Sequence, residues 1–193
     1  MPLSAPAARK LMHTRTIECR GYRREDGLWD IEAHMEDTKS FSFLNQDRGG
    51  EIKAGEPLHG MWLRVTLDMD FVIHDIEACT DWSPFNVCPE IVANYKRLIG
   101  VRIGPGWNRT LKTRVGRTEG CTHLTELLGP IATTAFQTMH PSRKGEKKPR
   151  PGDPEKPRIL NSCHALRADG EVVRQHWPAF YTGPDKDKEV APE

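Results

Sequence analysis

Apolar and polar residues alternate most clearly in the middle of the chain. Residues 61–78 contain two alternating runs, one on each side of a short acidic turn. Period-two alternation across a tight turn is typical of antiparallel strands with one buried face. We therefore predict a hairpin at 61–78, whose second strand places Val72, His74 and Ile76 on one face.

The N-terminal part of the chain has a strand-like pattern as well. Residues 14–43 are rich in β-prone side chains, with a turn at 23–27 and a short third strand at 40–43. Residues 46–56 hold three glycines and many charges, which favours a loop.

Beyond the hairpin the hydrophobic period becomes helical. It predicts a helix at 89–99 with Pro89 in its first turn, a short helix at 107–115, and a strongly amphipathic helix opening at Gly120. Pro130 lies inside this last pattern and predicts a kink or a restart. The predicted apolar stripe of the helix consists of Leu124, Leu127, Leu128, Ile131, Ala135 and Phe136.

Together these elements predict an α+β fold. An antiparallel sheet, built from the N-terminal strands and the 61–78 hairpin, packs against two or three helices. The organisation that we expect is a flexible arm at 1–13, a core domain at 14–140, a disordered basic linker at 141–157, a C-terminal segment at 158–182 that docks back on the core, and a tail at 183–193.

Charge and cysteine usage narrow the class of protein. The 28 Lys and Arg nearly balance the 27 Asp and Glu, so no overall field favours nucleic acid or an anionic membrane. No apolar run approaches the length of a membrane span, and the N-terminus lacks the apolar stretch of a secretory signal. The five cysteines are widely spaced without a CxxC pair, which argues against a disulfide framework and indicates a cytoplasmic protein.

The strongest chemical signal is Cys121-Thr122-His123 at the start of the amphipathic helix. A helix N-terminus stabilises a thiolate, so Cys121 is a candidate catalytic residue with His123 beside it. The alternative is a small buried cysteine that serves only as core.

Cys88 lies in the same way at the start of the predicted helix at 89–99, and His59 lies just before the hairpin. If the two helix starts converge, His59, Cys88, Cys121 and His123 form a metal site suited to zinc or iron. Asp81 is a candidate catalytic carboxylate for the same pocket. The alternatives are a surface role for His59 and a turn role for Asp81.

Two further groups carry weaker signals. Cys163 and His164 lie beyond the linker, where they either complete the site or are simply packed. Several arginines, including Arg15, crowd the N-terminal strands and indicate either an anion site or a salt-bridged solvent face.

Several long motifs resemble an uncharacterised bacterial family, the domain of unknown function DUF2889. They include Gly21 to His34 (GYRREDGLWDIEAH), the PLHGMW segment around His59, Cys88-Pro89, and Gly120 to Pro130 (GCTHLTELLGP). The resemblance covers nearly the whole chain outside the linker and the last residues. It implies a bacterial, cytosolic, stand-alone domain, and it implies no activity.

The order of the elements is also similar to that of NifU-like iron–sulfur scaffold proteins. In that family a cysteine precedes the hairpin where this chain has His59, and two further cysteines open helices. The likeness implies a NifU-like core. The chain departs from that pattern after Cys88, where it has Glu90, Ile91 and Val92 in place of small residues.

Three functions are compatible with these residues. The first is a small metal- or thiol-dependent enzyme acting on a small organic substrate, such as a carboxylate or a thioester. The second is a non-catalytic carrier or scaffold for a metal or an iron–sulfur unit. The third is an interaction module whose cysteines are structural. The sequence does not determine the oligomeric state.

Overall fold

The computed structural model describes residues 3–143, 157 and 159–184. It divides the chain into two compact units, residues 1–144 and 145–193. The predicted linker at 141–157 and the tail at 183–193 fall largely outside the described residues.

The first unit is built on a four-stranded antiparallel sheet in the order β1-β2-β5-β6. A small two-stranded hairpin, β3 with β4, lies in the chain between β2 and β5. Strand β3 begins at Phe43, where the predicted third strand ends, and β4 lies inside the segment predicted to be a loop. The strands are β1 His13–Arg23, β2 Trp29–Lys39, β3 Phe43–Asn45, β4 Gly50–Ile52, β5 Pro57–Leu67 and β6 Ile73–Trp82.

The helices of this unit follow the sheet in the chain. They are a 3₁₀-helix at Cys88–Leu98, α1 at Trp107–Arg114, a short 3₁₀ turn at Arg117–Glu119 and α2 at Thr122–Arg143. The sheet and helices confirm the predicted α+β fold. No helix in the described ranges has the length and apolarity that crossing a bilayer requires.

The core lies between one face of the sheet and α2. In β2 every second residue, from Trp29 to Met35, is buried, as the alternation of a strand requires. Helix α2 contributes a fully buried stripe to the same core: Leu124, Leu127, Leu128, Ile131, Ala135 and Met139. Phe136, which the sequence places on this stripe, is instead 44% exposed and stacks on Phe71.

The hairpin prediction is confirmed, but the predicted faces of its second strand are wrong. Ile73 and Ile76 are both buried, whereas His74 is exposed. The cause is a register shift, in which Thr66 pairs with Asp75 and Leu67 with Ile73. Because this bulge leaves one residue of β6 unpaired, the side chains change faces within the strand.

Helix α2 continues through Pro130 without a restart. The residue before a proline is crowded by the proline ring in the helical conformation, both at its backbone N–H and at its Cβ. Gly129 occupies that position and has no Cβ, which is one reason why the helix tolerates the proline.

The second unit contains α3, Glu171–His176, between two short 3₁₀ turns. Val173 and Tyr181 are its buried apolar side chains. Cys163 and His164 belong to this unit. The docking of residues 158–182 on the core stays a prediction.

Strand β1 approaches α2 closely at Gly21, and a substitution there tests the packing of α2 against the sheet. A Cβ at Gly21 would lie under 3 Å from three side-chain atoms of Thr138. We expect Gly21→Ala to lower the free energy of unfolding by about 1–3 kcal/mol because of this overpacking. Urea denaturation measures the change, and Gly21→Ala/Thr138→Ala should recover part of the loss.

Gly104→Ala is the matched control, since a Cβ at Gly104 meets nothing within 4 Å and its φ is not positive. Equal stability losses at the two glycines would contradict the packing of α2 along β1.

Candidate metal centre

A row of charged and polar side chains crosses three strands at one end of the sheet. Arg15 of β1 pairs directly with Asp37 of β2, and Asp37 pairs with His59 of β5. The inward alternation of β2 that buries Trp29 to Met35 continues to Asp37, so the row lies on the same face as the core. A β-bulge follows immediately, because Thr38 pairs with Pro57 rather than with Leu58.

Asp37 is the centre of this row and is completely buried. Arg15 donates two hydrogen bonds to it, from Nε to Oδ1 at 2.8 Å and from Nη2 to Oδ2 at 2.7 Å. His13 Nε2 lies 3.1 Å from Oδ1, and His59 Nδ1 lies 2.9 Å from Oδ2. Arg15 also forms an ion pair with Glu126 of α2. The buried carboxylate is therefore matched by a fork-shaped cation and by two imidazoles.

Helix α2 brings a third imidazole to the row. His123 lies in its first turn, and burial of Leu124 and Leu127 on the core fixes how this turn faces the sheet. The His123 ring packs against the His59 ring at a tilt of 32°, with centroids 3.7 Å apart, and its Nε2 lies 3.9 Å from Asp37 Oδ2.

Tyr95 of the 3₁₀-helix anchors the start of α2. Its hydroxyl accepts a hydrogen bond from the Cys121 N–H at 3.0 Å and lies 2.8 Å from both the Cys121 carbonyl and Thr125 Oγ1. Burial raises the pKa of Tyr95 to about 12, so the hydroxyl keeps its proton and can donate.

The surroundings keep the Asp37 carboxylate ionised and the imidazoles of His59 and His123 neutral at about pH 7. Burial alone would raise the pKa of Asp37, but the hydrogen bonds from Arg15 and His59 outweigh it and hold that pKa at about 2. Burial lowers the pKa of His59, and the neighbouring His123 lowers it further. The pKa of His123 is lowered by burial and by the charge of Arg15. Near neutral pH, the Nδ1–H of the neutral His59 therefore donates a hydrogen bond to the ionised Asp37.

Asp37, His59 and His123 form a group that could hold a metal ion. One ligand atom from each residue lies within 4.8 Å of the others. Two nitrogen or oxygen ligands of a tetrahedral zinc lie about 3.4 Å apart. The 2.9 Å and 3.9 Å contacts of Asp37 Oδ2 bracket that spacing, so small side-chain rotations would complete the coordination.

The structure unites two of the four metal ligands that the sequence predicts. His59 and His123 are in the group, whereas Cys121 is only adjacent to it. Cys121 Sγ lies 3.9 Å from Nδ1 of His123, the ring nitrogen opposite the one that faces Asp37. It also lies 3.9 Å from Met61 Sδ, at the edge of the core.

Cys88 is not part of the group. It opens the 3₁₀-helix, seven positions before Tyr95, which is about 14 Å along such a helix. The Tyr95 end of that helix meets Cys121, so the two predicted helix starts do not coincide.

Asp81 lies on the other face of the sheet. It is the extra residue of a bulge in which Gly60 pairs with Trp82 and Met61 with Thr80. Its carboxylate accepts a hydrogen bond from Nε1 of Trp62, whose side chain points away from the core. The structure therefore does not bring Asp81 to the cluster.

Asp37 is the main residue that the sequence reasoning missed as a ligand. The available signal was an acidic residue at the fifth inward position of an otherwise apolar alternation in β2. Arg15 was noted only as one of several crowded arginines, and its role depends on its register with Asp37.

Comparison with known proteins identifies one similarity. A family model described as "Protein of unknown function (DUF2889)" matches residues 13–137. The match includes every residue of the cluster, from His13 to Glu126. No curated protein and no solved structure is significantly similar to the chain.

The lowered histidine pKa values predict acid sensitivity of the fold. The unfolded chain takes up protons on His59 and His123 near pH 6.5, whereas the folded protein takes them up only at lower pH. Stability is therefore fully present above about pH 6.5 and is lost as pH falls below it. The contribution of Asp37 is fully present above about pH 4 and is lost progressively as pH falls from 3.8 to about 2.

Urea denaturation with a chelator present, from about pH 7.5 to about pH 5, checks this expectation. His59→Gln/His123→Gln should flatten the decline. His34→Gln is the control, because His34 stacks on Trp62 outside the cluster. An unchanged pH slope in the double variant would refute the assignment.

The Tyr95 anchor generates a second prediction. Tyr95→Phe leaves the partly buried Cys121 N–H without its acceptor, so we expect a loss of about 1–3 kcal/mol in the free energy of unfolding. Thermal and urea denaturation measure this loss. Tyr22→Phe, at a residue 42% exposed, should change stability little; equal effects would argue against the anchor.

Proposed function

The chain belongs to the DUF2889 family, and we propose that Asp37, His59 and His123 bind one divalent transition-metal ion, zinc or iron, in a small metal-dependent enzyme. The observation that carries this proposal is the convergence of one ionised carboxylate and two neutral imidazoles on one point. Two histidines and one carboxylate are the ligand set of many catalytic zinc sites and of non-haem iron sites.

An enzyme rather than a closed structural site is supported by the number of ligands and by exposure. Three protein ligands leave at least one coordination position open. The His123 side chain is 27% exposed, while Asp37 is buried, so a bound metal would be reached from solvent on the His123 side. When bound, the metal would supply Lewis-acid chemistry, polarising a carbonyl or activating water on a small organic substrate.

The residues around the ligands have distinct tasks. Arg15 orients Asp37 through two hydrogen bonds and keeps it ionised. Glu126 balances part of the Arg15 charge, which reduces the repulsion between the guanidinium and a bound cation. A cation between Asp37 and His59 would replace the proton of their hydrogen bond, and the imidazole proton would then reside on Nε2.

The iron–sulfur scaffold alternative is less well supported. Iron–sulfur clusters are held mainly by cysteine thiolates, and the converging group contains none. We propose a mononuclear site for that reason. The five unpaired thiols of the chain suit a reducing compartment, which supports our proposal of a bacterial, cytoplasmic enzyme.

Metal analysis of the full-length protein tests the proposal. Protein purified without a metal-binding tag should contain about one zinc or iron ion per chain by mass spectrometry. His59→Gln and His123→Gln should each lose it, because each removes one of three ligands. Arg15→Gln, which leaves all three ligands, should weaken affinity by about 10–100-fold.

His34→Gln is again the matched control and should retain the metal. Metal added at about 100 times its dissociation constant should stabilise the metal-free native protein by about 2.7 kcal/mol. Absence of stoichiometric metal, together with no stabilisation by Zn²⁺ or Fe²⁺, would reject the metal centre.

A second candidate function uses Cys121 as a nucleophile with His123 as its base. The 3.9 Å separation of Sγ and Nδ1 favours it, since a modest rotation would bring the two into hydrogen-bond contact. Rapid alkylation of Cys121 near neutral pH in a metal-free protein, slowed by His123→Gln, would favour this alternative over the metal centre.

A further inference from the structure

A groove of about 540 Å³ runs between α1 and the first turns of α2. Its volume is within the range of about 300–1,000 Å³ that is usual for small-molecule sites. Leu111 and Val115 supply apolar lining, and both are almost completely buried. The groove is therefore large enough for a small metabolite, and part of its lining is apolar.

The three proposed metal ligands do not line the groove, but two of its lining residues are close neighbours of the candidate metal centre. Thr122 directly precedes His123 in the chain, and Glu126 forms the ion pair with Arg15 that leads to Asp37. A ligand in the groove thus lies against the same two turns of α2 that present His123.

The charged residues that line the groove favour a ligand of one charge. Lys112 and Arg117 line it, and neither forms an ion pair with any residue in the described ranges. The acidic lining residue Glu126 is already paired with Arg15. The positive charge that remains available favours an anionic group.

Arg117 is held at the groove by an unusual backbone. Its φ is 54°, in the left-handed region that residues other than glycine rarely adopt. The neighbouring turn is tightly packed, since a Cβ at Gly120 would clash with the Val115 carbonyl oxygen. The 115–120 turn therefore fixes the backbone position of Arg117 beside the groove.

We propose, as an inference that rests on the metal centre proposed above, that this groove binds the substrate and that the substrate is a small amphipathic carboxylate. Lys112 and Arg117 hold its carboxylate, Leu111 and Val115 contact its apolar part, and its other end points towards His123. The groove thereby sets substrate class, while Asp37, His59 and His123 supply the chemistry.

Calorimetric titration of the full-length protein with octanoate, and with neutral octanamide, tests the groove. Octanoate should bind more tightly than octanamide. Lys112→Gln/Arg117→Gln should weaken octanoate binding by about fivefold, as expected for two partly exposed charge contacts, and leave octanamide unchanged. Asn108→Trp, at an exposed groove-lining position of α1, should weaken both ligands by filling the space.

Lys53→Gln/Arg109→Gln is the matched control, because it removes two positive charges from exposed positions outside the groove. Octanoate binding that is undetectable, or equal in the charge variant and its control, would overturn the groove assignment.

A second measurement tests whether a ligand in the groove reaches the metal ion. In protein loaded with Co²⁺, octanoate should shift the visible absorption of the ion in the native chain and much less in Lys112→Gln/Arg117→Gln. Failure to bind Co²⁺, Zn²⁺ or Fe²⁺ while octanoate still binds rejects the proposed function and not the groove. Octanoate binding that leaves the Co²⁺ spectrum unchanged rejects the groove as the substrate site of that centre.

Discussion

The ion pair between Arg15 and the buried Asp37 is the interaction on which the candidate site depends. An isolated carboxylate inside a protein would take up a proton or destabilise the fold. The two hydrogen bonds from Arg15 keep Asp37 ionised at a fully buried position. Because the carboxylate stays charged, it orients His59 through a 2.9 Å contact and attracts His123 from the helix. Without the guanidinium, the buried Asp37 would take up a proton more readily and would hold the two imidazoles less firmly.

The location of the site follows from how the core ends. The sheet face that packs against α2 is apolar for most of its length, from Trp29 to Met35 in β2 and from Leu67 to Met61 in β5. At the next inward position of each strand the residue is Asp37 or His59, and β1 supplies Arg15 in the same row. The site is therefore a polar continuation of the core, rigid because it is built on strands, and bounded by a bulge that ends the regular pairing.

Helix α2 contributes to three parts of the structure, namely the core, the candidate metal centre and the groove. Its apolar stripe covers the sheet, its first turn presents His123 to Asp37, and Thr122 and Glu126 line the groove towards α1. Tyr95 secures the start of this helix through hydrogen bonds to Cys121 and Thr125. The position of the imidazole and the shape of the groove therefore depend on the same helical turn.

The sequence by itself determined the α+β class, the 61–78 hairpin and the helices, because periodicity and helix-start signals are local, and it picked out His59 and His123 as candidate ligands. It did not identify Asp37 as their partner, and it grouped Cys88 and Asp81 with them. Those assignments depend on register and on bulges: one extra residue at Asp81 turns its side chain to the other face, and the Arg15–Asp37–His59 row exists only once three strands are aligned. Long-range pairing is decided by tertiary packing, since many side chains must fit one core simultaneously, and no local pattern encodes that alignment.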